Sequence, residues 1–321
     1  MSDRAAIVLA AGKSTRMDTD SPKVLHEICG QPMLSFVLQA CRLAGVERTA
    51  VVVGHGKSKV KKAFASTGNI DWVEQREQKG TGHAVLCCKK AMAGFHGTVL
   101  VIAGDMPLVR RLTLVELMES RERADDGAAI ATTILDDPTG YGRIVRDSEG
   151  GLEAIVEHRD CSPEQLKIRE VNPSYYAFDA DLLFEALEQV EANPDTGEFY
   201  VTDVIRTLRE AGHGVSANAT VPSADATGVN SRLDLAIVAR MMQDRLQMAL
   251  MGEGVSIIDP DNTWIEADVT IGRDSTVYPF SFIGAGARVG SKCRIGPFGL
   301  VAQGESIADG KVVGPLRGMG S

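Results

Sequence analysis

The sequence has no long apolar run, no long basic run and no C-x-x-C spacing. Its first apolar segment, Ala5 to Ala11, is too short for a bilayer span and lacks a strong basic n-region. We therefore expect a first strand rather than a signal peptide, and no membrane partner. The six cysteines include the adjacent pair Cys87-Cys88, which suits a disulfide framework poorly. Reduced thiols and a cytoplasmic location are predicted.

The charge balance excludes a further class of protein. The formal net charge is −9 and no basic run offsets it, so we expect no nucleic-acid partner. An apolar content of 44% with 24% charged residues is typical of a globular chain with an ample core, and 321 residues favour about two domains. A polyanionic ligand would have to bind at a local cluster of cations.

One such cluster follows the first predicted strand. The strand leads into a small-residue loop around Gly12, in which Lys13, Arg16 and Lys23 supply positive charge. Small side chains let backbone N–H groups approach an anion closely, and fixed charges suit a polyphosphate. The pattern indicates a nucleotide-binding loop.

Three other interpretations of this loop explain less of it. A dinucleotide fingerprint needs G-x-G-x-x-G, and only Gly12 is present. The Walker A pattern matches Gly12-Lys13-Ser14 but has Ile7 in place of its first glycine. An ordinary strand-to-helix turn would explain Gly12 but not the density of cations.

Strand-like and helical segments alternate from Ala5 to Ala103, which predicts βαβ units on a largely parallel sheet. Ligands of open α/β sheets bind at the carboxyl ends of the strands. Gly12 and Asp105 each follow such an end, so we expect both in one crevice. The predicted strands are Ala5–Leu9, Thr49–Val53, Ile70–Val73 and Thr98–Ala103, and the predicted helices are Met33–Ala44, Lys57–Ala65 and Thr81–Met92.

The clearest periodicity lies towards the end of the chain. Nine aliphatic residues recur at every sixth position from Ile265 to Val313, often with glycine next. This hexapeptide pattern is the signature of a parallel β-helix with three hexads per coil, and it predicts about three coils. An amphipathic connecting helix is predicted before it, from Ser231 to Met251, with apolar residues at Leu233, Ile237, Met241, Met242, Leu246 and Leu250.

Two polar segments near the predicted strand ends offer ligands. The segment from Glu74 to Ala84 contains Gln75, Gln78 and a Gly-Thr-Gly turn. Paired amide donors and acceptors can read the edge of a uracil or thymine, although a polar loop with a helix cap would show the same residues. Asp105 ends an apolar strand beside the phosphate loop, where its carboxylate can hold Mg²⁺.

The chain resembles a known family from residue 4 into the C-terminal repeats. The segments LAAGKSTRM, SPKVLH, EQREQKGTGHA, AGDMPL, DDPTGYGRI, IVEHRD, GEFYVTD and GVNSRL occur in this order. They are similar to bacterial N-acetylglucosamine-1-phosphate uridylyltransferases, the amino-terminal half of bifunctional enzymes that make UDP-N-acetylglucosamine. The resemblance implies an α/β chain with a Rossmann-like nucleotidyltransferase domain at 1–230, a linker helix at 231–254 and a short left-handed parallel β-helix at 255–321.

The same resemblance implies a role for each site residue. Arg16 and Lys23 would clamp phosphates as the catalytic pair, and Asp105 and Asn230 would hold Mg²⁺. UTP would contact Leu9, Ala10, Ala11, Gly12, Gln75, Gln78, Gly80 and Thr81. N-acetylglucosamine 1-phosphate would contact Ala103, Gly104, Gly142, Glu157, Asn172, Tyr200 and Thr202.

Two positions depart from the family pattern. Asn172-Pro173-Ser174 replaces a common Asn-Thr-Gly stretch, and Ala103 stands where a hydroxyl-bearing residue is frequent. Sugar specificity is therefore more open than nucleotide chemistry. A uridylyl- or thymidylyltransferase acting on glucose 1-phosphate and a catalytically silent nucleotide-binding scaffold are the alternatives.

Further expectations concern assembly and the C-terminal end. The resemblance implies threefold packing of the β-helices, so we expect a homotrimer. The family's acetyltransferase half needs further coils and a catalytic histidine. The last histidine here is His213, so no acetyltransferase activity is expected.

Overall fold

The computed structural model describes residues 3–13, 15–17 and 19–314, so Ser14, Asp18 and the end of the predicted β-helix domain, 315–321, lie outside the described residues. The chain divides into two compact units. The first contains the residues up to His26 and Met33–Ser231, and the second contains Glu27–Pro32 and the residues from Arg232 onward. A short segment near the start of the chain thus belongs with the C-terminal unit, which the sequence did not indicate.

A mixed sheet forms the centre of the first unit. Numbered along the chain, the strands of the first 220 residues are β1 (Arg4–Ala10), β2 (Glu27–Ile28), β3 (Gln31–Pro32), β4 (Arg48–Val53), β5 (Ile70–Glu74), β6 (Thr98–Ala103), β7 (Ala128–Ile134), β8 (Gly142–Arg146), β9 (Leu152–Val156), β10 (Glu170–Asp179) and β11 (Val215–Asn218). The sheet order is β11-β7-β10-β6-β1-β4-β5, and β8 joins it through β10 and carries β9. β2 and β3 form a separate hairpin within the second unit.

Half of this sheet matches the predicted parallel arrangement. β1 pairs in parallel with β4 and β6, and β4 pairs in parallel with β5. β10 lies between β6 and β7 and runs antiparallel to both, so the sheet is mixed rather than largely parallel. The reason is the connection: β10 follows the antiparallel β8–β9 pair and two short 3-10 turns, without the crossover helix that a parallel neighbour requires.

Helices cover both faces of the sheet. Alternate residues of β1 point to opposite faces, with Ile7 in one apolar cluster and Val8 in the other. Burying each such side chain stabilises the fold by roughly 1.5–3 kcal/mol. The helix predicted to reach Met92 ends at Leu86, and turns continue beyond it. The helices of both units are α1 (Met33–Leu43), α2 (Lys57–Ala63), α3 (Thr81–Leu86), α4 (Arg111–Ala124), α5 (Ala180–Leu187), α6 (Val201–Glu210) and α7 (Arg232–Gly252).

The second unit contains a left-handed parallel β-helix. Each strand places its second residue inside, and from Ile265 onward these are the nine residues of the predicted hexapeptide pattern, whereas Ile257 precedes it. The strands are β12 (Ser256–Ile257), β13 (Trp264–Ile265), β14 (Thr270–Ile271), β15 (Thr276–Val277), β16 (Phe282–Ile283), β17 (Arg288–Val289), β18 (Arg294–Ile295), β19 (Leu300–Val301), β20 (Ser306–Ile307) and β21 (Val312–Val313). They form three parallel sheets, in the orders β12-β15-β18-β21, β13-β16-β19 and β14-β17-β20.

The long helix α7 buries only part of the apolar stripe predicted for it. Met242 and Leu250 are buried as predicted, whereas Leu233 and Ile237 are exposed and Gln243 is buried as well. The difference arises because two glutamines on this face bond to backbone at the edge of β13, so the buried stripe is partly polar. Among the described residues, no helix combines the length and apolar composition needed to cross a membrane.

Candidate nucleotide and sugar-phosphate site

A cavity of about 550 Å³ opens at the carboxyl ends of β1, β5 and β6 in the first unit. Gly12 and Asp105 both line it, as their positions after strands predicted. Every residue predicted for the site lines the same cavity except Gly104, Gly142 and Asn172. The sequence motifs therefore converge on one place, although the first and the last are separated by more than two hundred residues in the chain.

The small-residue loop forms one wall of the cavity. A Cβ placed on Gly12 would meet no described atom within 4 Å, so packing within the protein does not require glycine there. The missing side chain instead leaves backbone accessible to a ligand. Gln78 Nε2 donates to the carbonyl oxygen of Ala11 at 2.6 Å and ties the loop to the segment after β5.

Two cations and two oxygen ligands meet beside this loop. Lys23 Nζ donates to Asp105 Oδ2 and, at 2.8 Å, to Asn230 Oδ1. Arg16 Nη2 lies 3.1 Å from the same Asn230 oxygen. The two side chains predicted as metal ligands thus share one ammonium group, that of Lys23, and Arg16 contacts one of them, Asn230.

The Gln75–Thr81 segment is held by its own contacts. The Gln75 side chain is 5% exposed, and its Nε2 donates to Gly80 O at 3.0 Å and lies 3.1 Å from His83 Nδ1. Gly80 has a φ of +95°, and a Cβ there would approach Phe199 O at 2.4 Å, so glycine is required. Thr81 Oγ1 accepts a hydrogen bond from Val201 N at 3.0 Å. The predicted base-reading loop is thereby anchored at the start of α6.

Glu157 lines the cavity beside the first turn of α6. Thr202 Oγ1 donates to Glu157 Oε1 at 3.3 Å. Burial raises the pKa of the Glu157 carboxyl, and the Thr202 hydrogen bond and the Arg159 charge counteract this only in part. Arg159 itself lies over the Tyr200 ring at 5.7 Å and 3.7 Å from a Glu198 carboxylate oxygen. A carboxylate with few donors of its own is suited to accept hydrogen bonds from sugar hydroxyls.

The structure places three predicted contacts behind the wall of the cavity. Asn172 is buried, its Nδ2 donates to Tyr176 Oη at 2.6 Å, and its Oδ1 accepts from Ser174 N at 3.0 Å. Ser174 and Tyr176 line the cavity in its place. Gly142 pairs with Asn172 in the sheet and does not line the cavity, although a Cβ there would lie 3.7 Å from Glu157 Oε2.

Gly104 packs against protein rather than the cavity. A Cβ there would approach Leu9 O at 3.2 Å and Leu34 Cδ1 at 3.3 Å. Nine further residues line the cavity outside the predicted site list, and five of them carry polar groups: Lys13, Arg159, Ser174, Tyr176 and Glu198. Lys13, Arg159 and Glu198 lie inside quoted motifs, so their segments were visible, whereas Tyr176 follows the divergent Asn172-Pro173-Ser174 stretch.

Residues 6–194, more than half of the chain, match the family of MobA-like NTP transferase domains. The chain belongs to this family. It is 41% identical over 292 residues to the bifunctional protein GlmU of Clostridium botulinum (strain Eklund 17B / Type B), covering 91% of this chain. It is 43% identical over 295 residues to the bifunctional protein GlmU of Shouchella clausii (strain KSM-K16), covering 92% of this chain. The chain spans 64% of the length of each of these two relatives.

A solved structure supports the fold alone. The crystal structure of UDP-glucose pyrophosphorylase complexed with UDP-glucose superimposes with a TM-score of 0.62 at 20% sequence identity. The match covers 76% of this chain and all of that one. The nucleotidyltransferase architecture is therefore shared well beyond recognisable sequence similarity.

Proposed function

We propose that the chain transfers UMP from UTP to N-acetylglucosamine 1-phosphate and releases pyrophosphate. The observation that carries this proposal is the meeting of Arg16, Lys23, Asp105 and Asn230 at the strand ends, in one cavity with Glu157. Similarity to GlmU proteins across both units supports the choice of substrates.

The reaction is attack by a phosphate oxygen of the sugar phosphate on the α-phosphorus of UTP. A sugar phosphate has a second pKa near ~6, so it is mostly dianionic at neutral pH and needs no general base. The barrier comes from repulsion between two polyanions and from charge on the leaving pyrophosphate. Arg16 and Lys23 supply fixed positive charge where that charge develops.

Asp105 and Asn230 would hold Mg²⁺. Their oxygens already converge on one cation, the Lys23 ammonium, and they are the hard oxygen donors that Mg²⁺ prefers. Among the described residues no group of three or more histidines, cysteines or acidic side chains could hold a metal, which agrees with a site completed by phosphate oxygens and water. When bound, the ion would neutralise charge on the phosphates.

The sugar moiety would contact the Glu157 end. Glu157 would accept from sugar hydroxyls, with Thr202 and Tyr200 beside it, while Asn172 and Gly142 would shape this wall from behind. Gln75, Gln78, Gly80 and Thr81 would form the uracil side. Gln75 Nε2 is engaged by Gly80, so its amide would fix the loop as well as read the base.

We propose a cytoplasmic homotrimer with no nucleic-acid or membrane partner. The β13-β16-β19 face of the β-helix supports a self-association surface, because Phe282 and Leu300 are 40% and 67% exposed there. Phe280 and Phe298 stack at 5.1 Å beside it.

A double change of Phe282 and Leu300 to Asp should yield monomers in sedimentation. Arg288→Asp, at an outward position of β17, is the control; a double variant that stays trimeric contradicts the surface.

The test of the activity is pyrophosphate release across a matrix of nucleoside triphosphates and sugar 1-phosphates. UTP with N-acetylglucosamine 1-phosphate should be preferred, and glucose 1-phosphate should be at least ~10-fold worse, because a missing acetamido group leaves polar groups of the site unpaired. Equal turnover of both sugars contradicts the sugar assignment. Absence of pyrophosphate release with every pair of substrates would favour the alternative of a catalytically silent nucleotide-binding scaffold.

A further inference from the structure

Lys23 occupies the place between the two proposed metal ligands. Its Nζ donates to Asp105 Oδ2 and Asn230 Oδ1, and its side chain is only 13% exposed. Arg16 lies within hydrogen-bond distance of the same Asn230 oxygen. The site thus already contains an ammonium ion enclosed by a carboxylate and an amide oxygen.

A divalent cation would need the oxygens that Lys23 already binds. Mg²⁺ coordinates oxygen at about 2.0–2.1 Å and demands near-octahedral geometry, so it cannot bind Asp105 Oδ2 and Asn230 Oδ1 while Nζ stays between them. Two positive charges at such a short distance repel each other strongly, because the site is partly shielded from water. A divalent ion can therefore bind these two oxygens only if the Lys23 ammonium moves away from them.

We infer that Lys23 is the resident cation of the nucleotide-free site and competes with the divalent metal for Asp105 and Asn230. Lys23 thereby lowers the affinity of the nucleotide-free site for the free metal ion. When the metal arrives on a nucleoside triphosphate, the phosphate oxygens accept the hydrogen bonds of Lys23, which moves to them and vacates the two ligands. The inference rests on the proposed function in taking Asp105 and Asn230 as metal ligands, and it adds an order of binding in which the metal enters with the nucleotide.

The test measures Mn²⁺ binding to the full chain without either substrate, from the electron paramagnetic resonance signal of free Mn²⁺. Lys23→Met should bind Mn²⁺ ~10-fold or more tightly than the wild type, because a competing charge in direct contact is removed. Lys13→Met is the matched control, since Lys13 lines the same cavity but its described contacts include neither ligand. It should change the affinity by less than ~3-fold, because exposed charges at a distance are screened.

A double variant tests whether the tighter Mn²⁺ binding depends on Asp105. Adding Asp105→Asn to Lys23→Met should abolish the tighter binding. Equal affinities of the Lys23→Met and Lys13→Met variants, or a gain that survives Asp105→Asn, would overturn the inference. If Lys23→Met does not fold, Lys23→Gln replaces it, because the amide retains hydrogen bonding to Asp105 without charge.

A second readout uses the wild-type chain alone. Saturating Mn²⁺ should raise the rate at which an amine-reactive ester labels Lys23, followed by peptide mass spectrometry, whereas unchanged labelling contradicts displacement. Both measurements omit UTP and the sugar phosphate. Their failure therefore leaves the turnover test of the proposed function standing, and inactivity in that test leaves the competition measurable.

Discussion

The side-chain amide of Asn172 donates to the phenolic oxygen of Tyr176 at 2.6 Å, within one strand and between two buried residues. Burial raises the pKa of the Tyr176 hydroxyl, and its ring stacks on Phe178 at 5.7 Å. Tyr176 faces the cavity while Asn172 does not. The asparagine therefore acts through the tyrosine, as a residue that positions the wall that we propose as the sugar side of the cavity.

Replacing Tyr176 by Phe should test this arrangement. The variant leaves the buried Asn172 amide without its acceptor, which should lower the free energy of unfolding by about 1–3 kcal/mol. The KM for the sugar phosphate should rise while the KM for UTP stays unchanged, in steady-state assays. Tyr278→Phe, which removes an exposed hydroxyl bonded to Arg294, is the control and should leave both properties near wild type. Equal effects on both substrates would argue against a sugar-side role.

Asp105→Asn should lower turnover on the order of 10²-fold or more, about 2.7 kcal/mol of transition-state stabilisation, because it removes an anionic metal ligand. The thermal midpoint should change little, since Asp105 is partly exposed and outside the apolar clusters. Rates are measured at limiting Mg²⁺. Asp136→Asn, at a fully exposed aspartate, provides the control. Wild-type activity of the Asp105→Asn variant would contradict the assignment of Asp105 as a metal ligand.

The raised pKa of Glu157 has a consequence for stability. Because burial raises its pKa in the folded chain, the stability linked to its proton is present below the ordinary glutamate pKa and is lost as pH rises through the raised value. Glu157→Gln does not titrate, so the difference between its melting temperature and that of the wild type should grow in favour of the variant from about pH 4 until the pH passes the raised pKa of Glu157. Glu153→Gln, at an exposed position of the strand that ends just before Glu157, is the control. A constant difference at all pH values would contradict the burial effect.

Gln243 links α7 to the first coil of the β-helix. Its side chain is fully buried, donates to Ile265 O and accepts from Ile265 N at 3.0 Å, in the manner of a neighbouring strand. Gln243→Leu should destabilise the second unit by about 2–3 kcal/mol, because it leaves buried backbone groups unpaired. Urea unfolding measures this, with the exposed Gln303→Leu as control. A change within the error of the Gln303 variant would show that water replaces the amide.

Periodicity explains which parts of the fold could be predicted. The six-residue repeat ending at Val313 leaves only one way to bury the aliphatic residues, so the β-helix and its three sheets followed from the sequence. The antiparallel direction of β10 could not be predicted from the sequence, because no local pattern in Glu170–Asp179 distinguishes the two directions of a buried strand. The Glu27–Pro32 hairpin joins the second unit through contacts such as Cys29 with Gln243, which are distant in sequence.

The site was predictable where a motif follows a strand directly. Gly12, Gln75 and Asp105 line the cavity because strand ends fix their positions. Asn172 was expected at the sugar, but the left-handed turn at Ser174, with a φ of +67°, lies between it and the cavity-lining Tyr176. Such a turn depends on side-chain bonds that spacing alone does not reveal.

The most direct test of the central claim follows the oxygen atoms of the acceptor phosphate. The full chain is incubated with UTP, Mg²⁺ and N-acetylglucosamine 1-phosphate whose non-bridging phosphate oxygens carry ¹⁸O, and the products are separated by liquid chromatography and weighed by mass spectrometry. Attack by the sugar phosphate on the α-phosphorus predicts UDP-N-acetylglucosamine that retains all the label, together with unlabelled pyrophosphate. A chain that forms no labelled sugar nucleotide under these conditions would contradict the account.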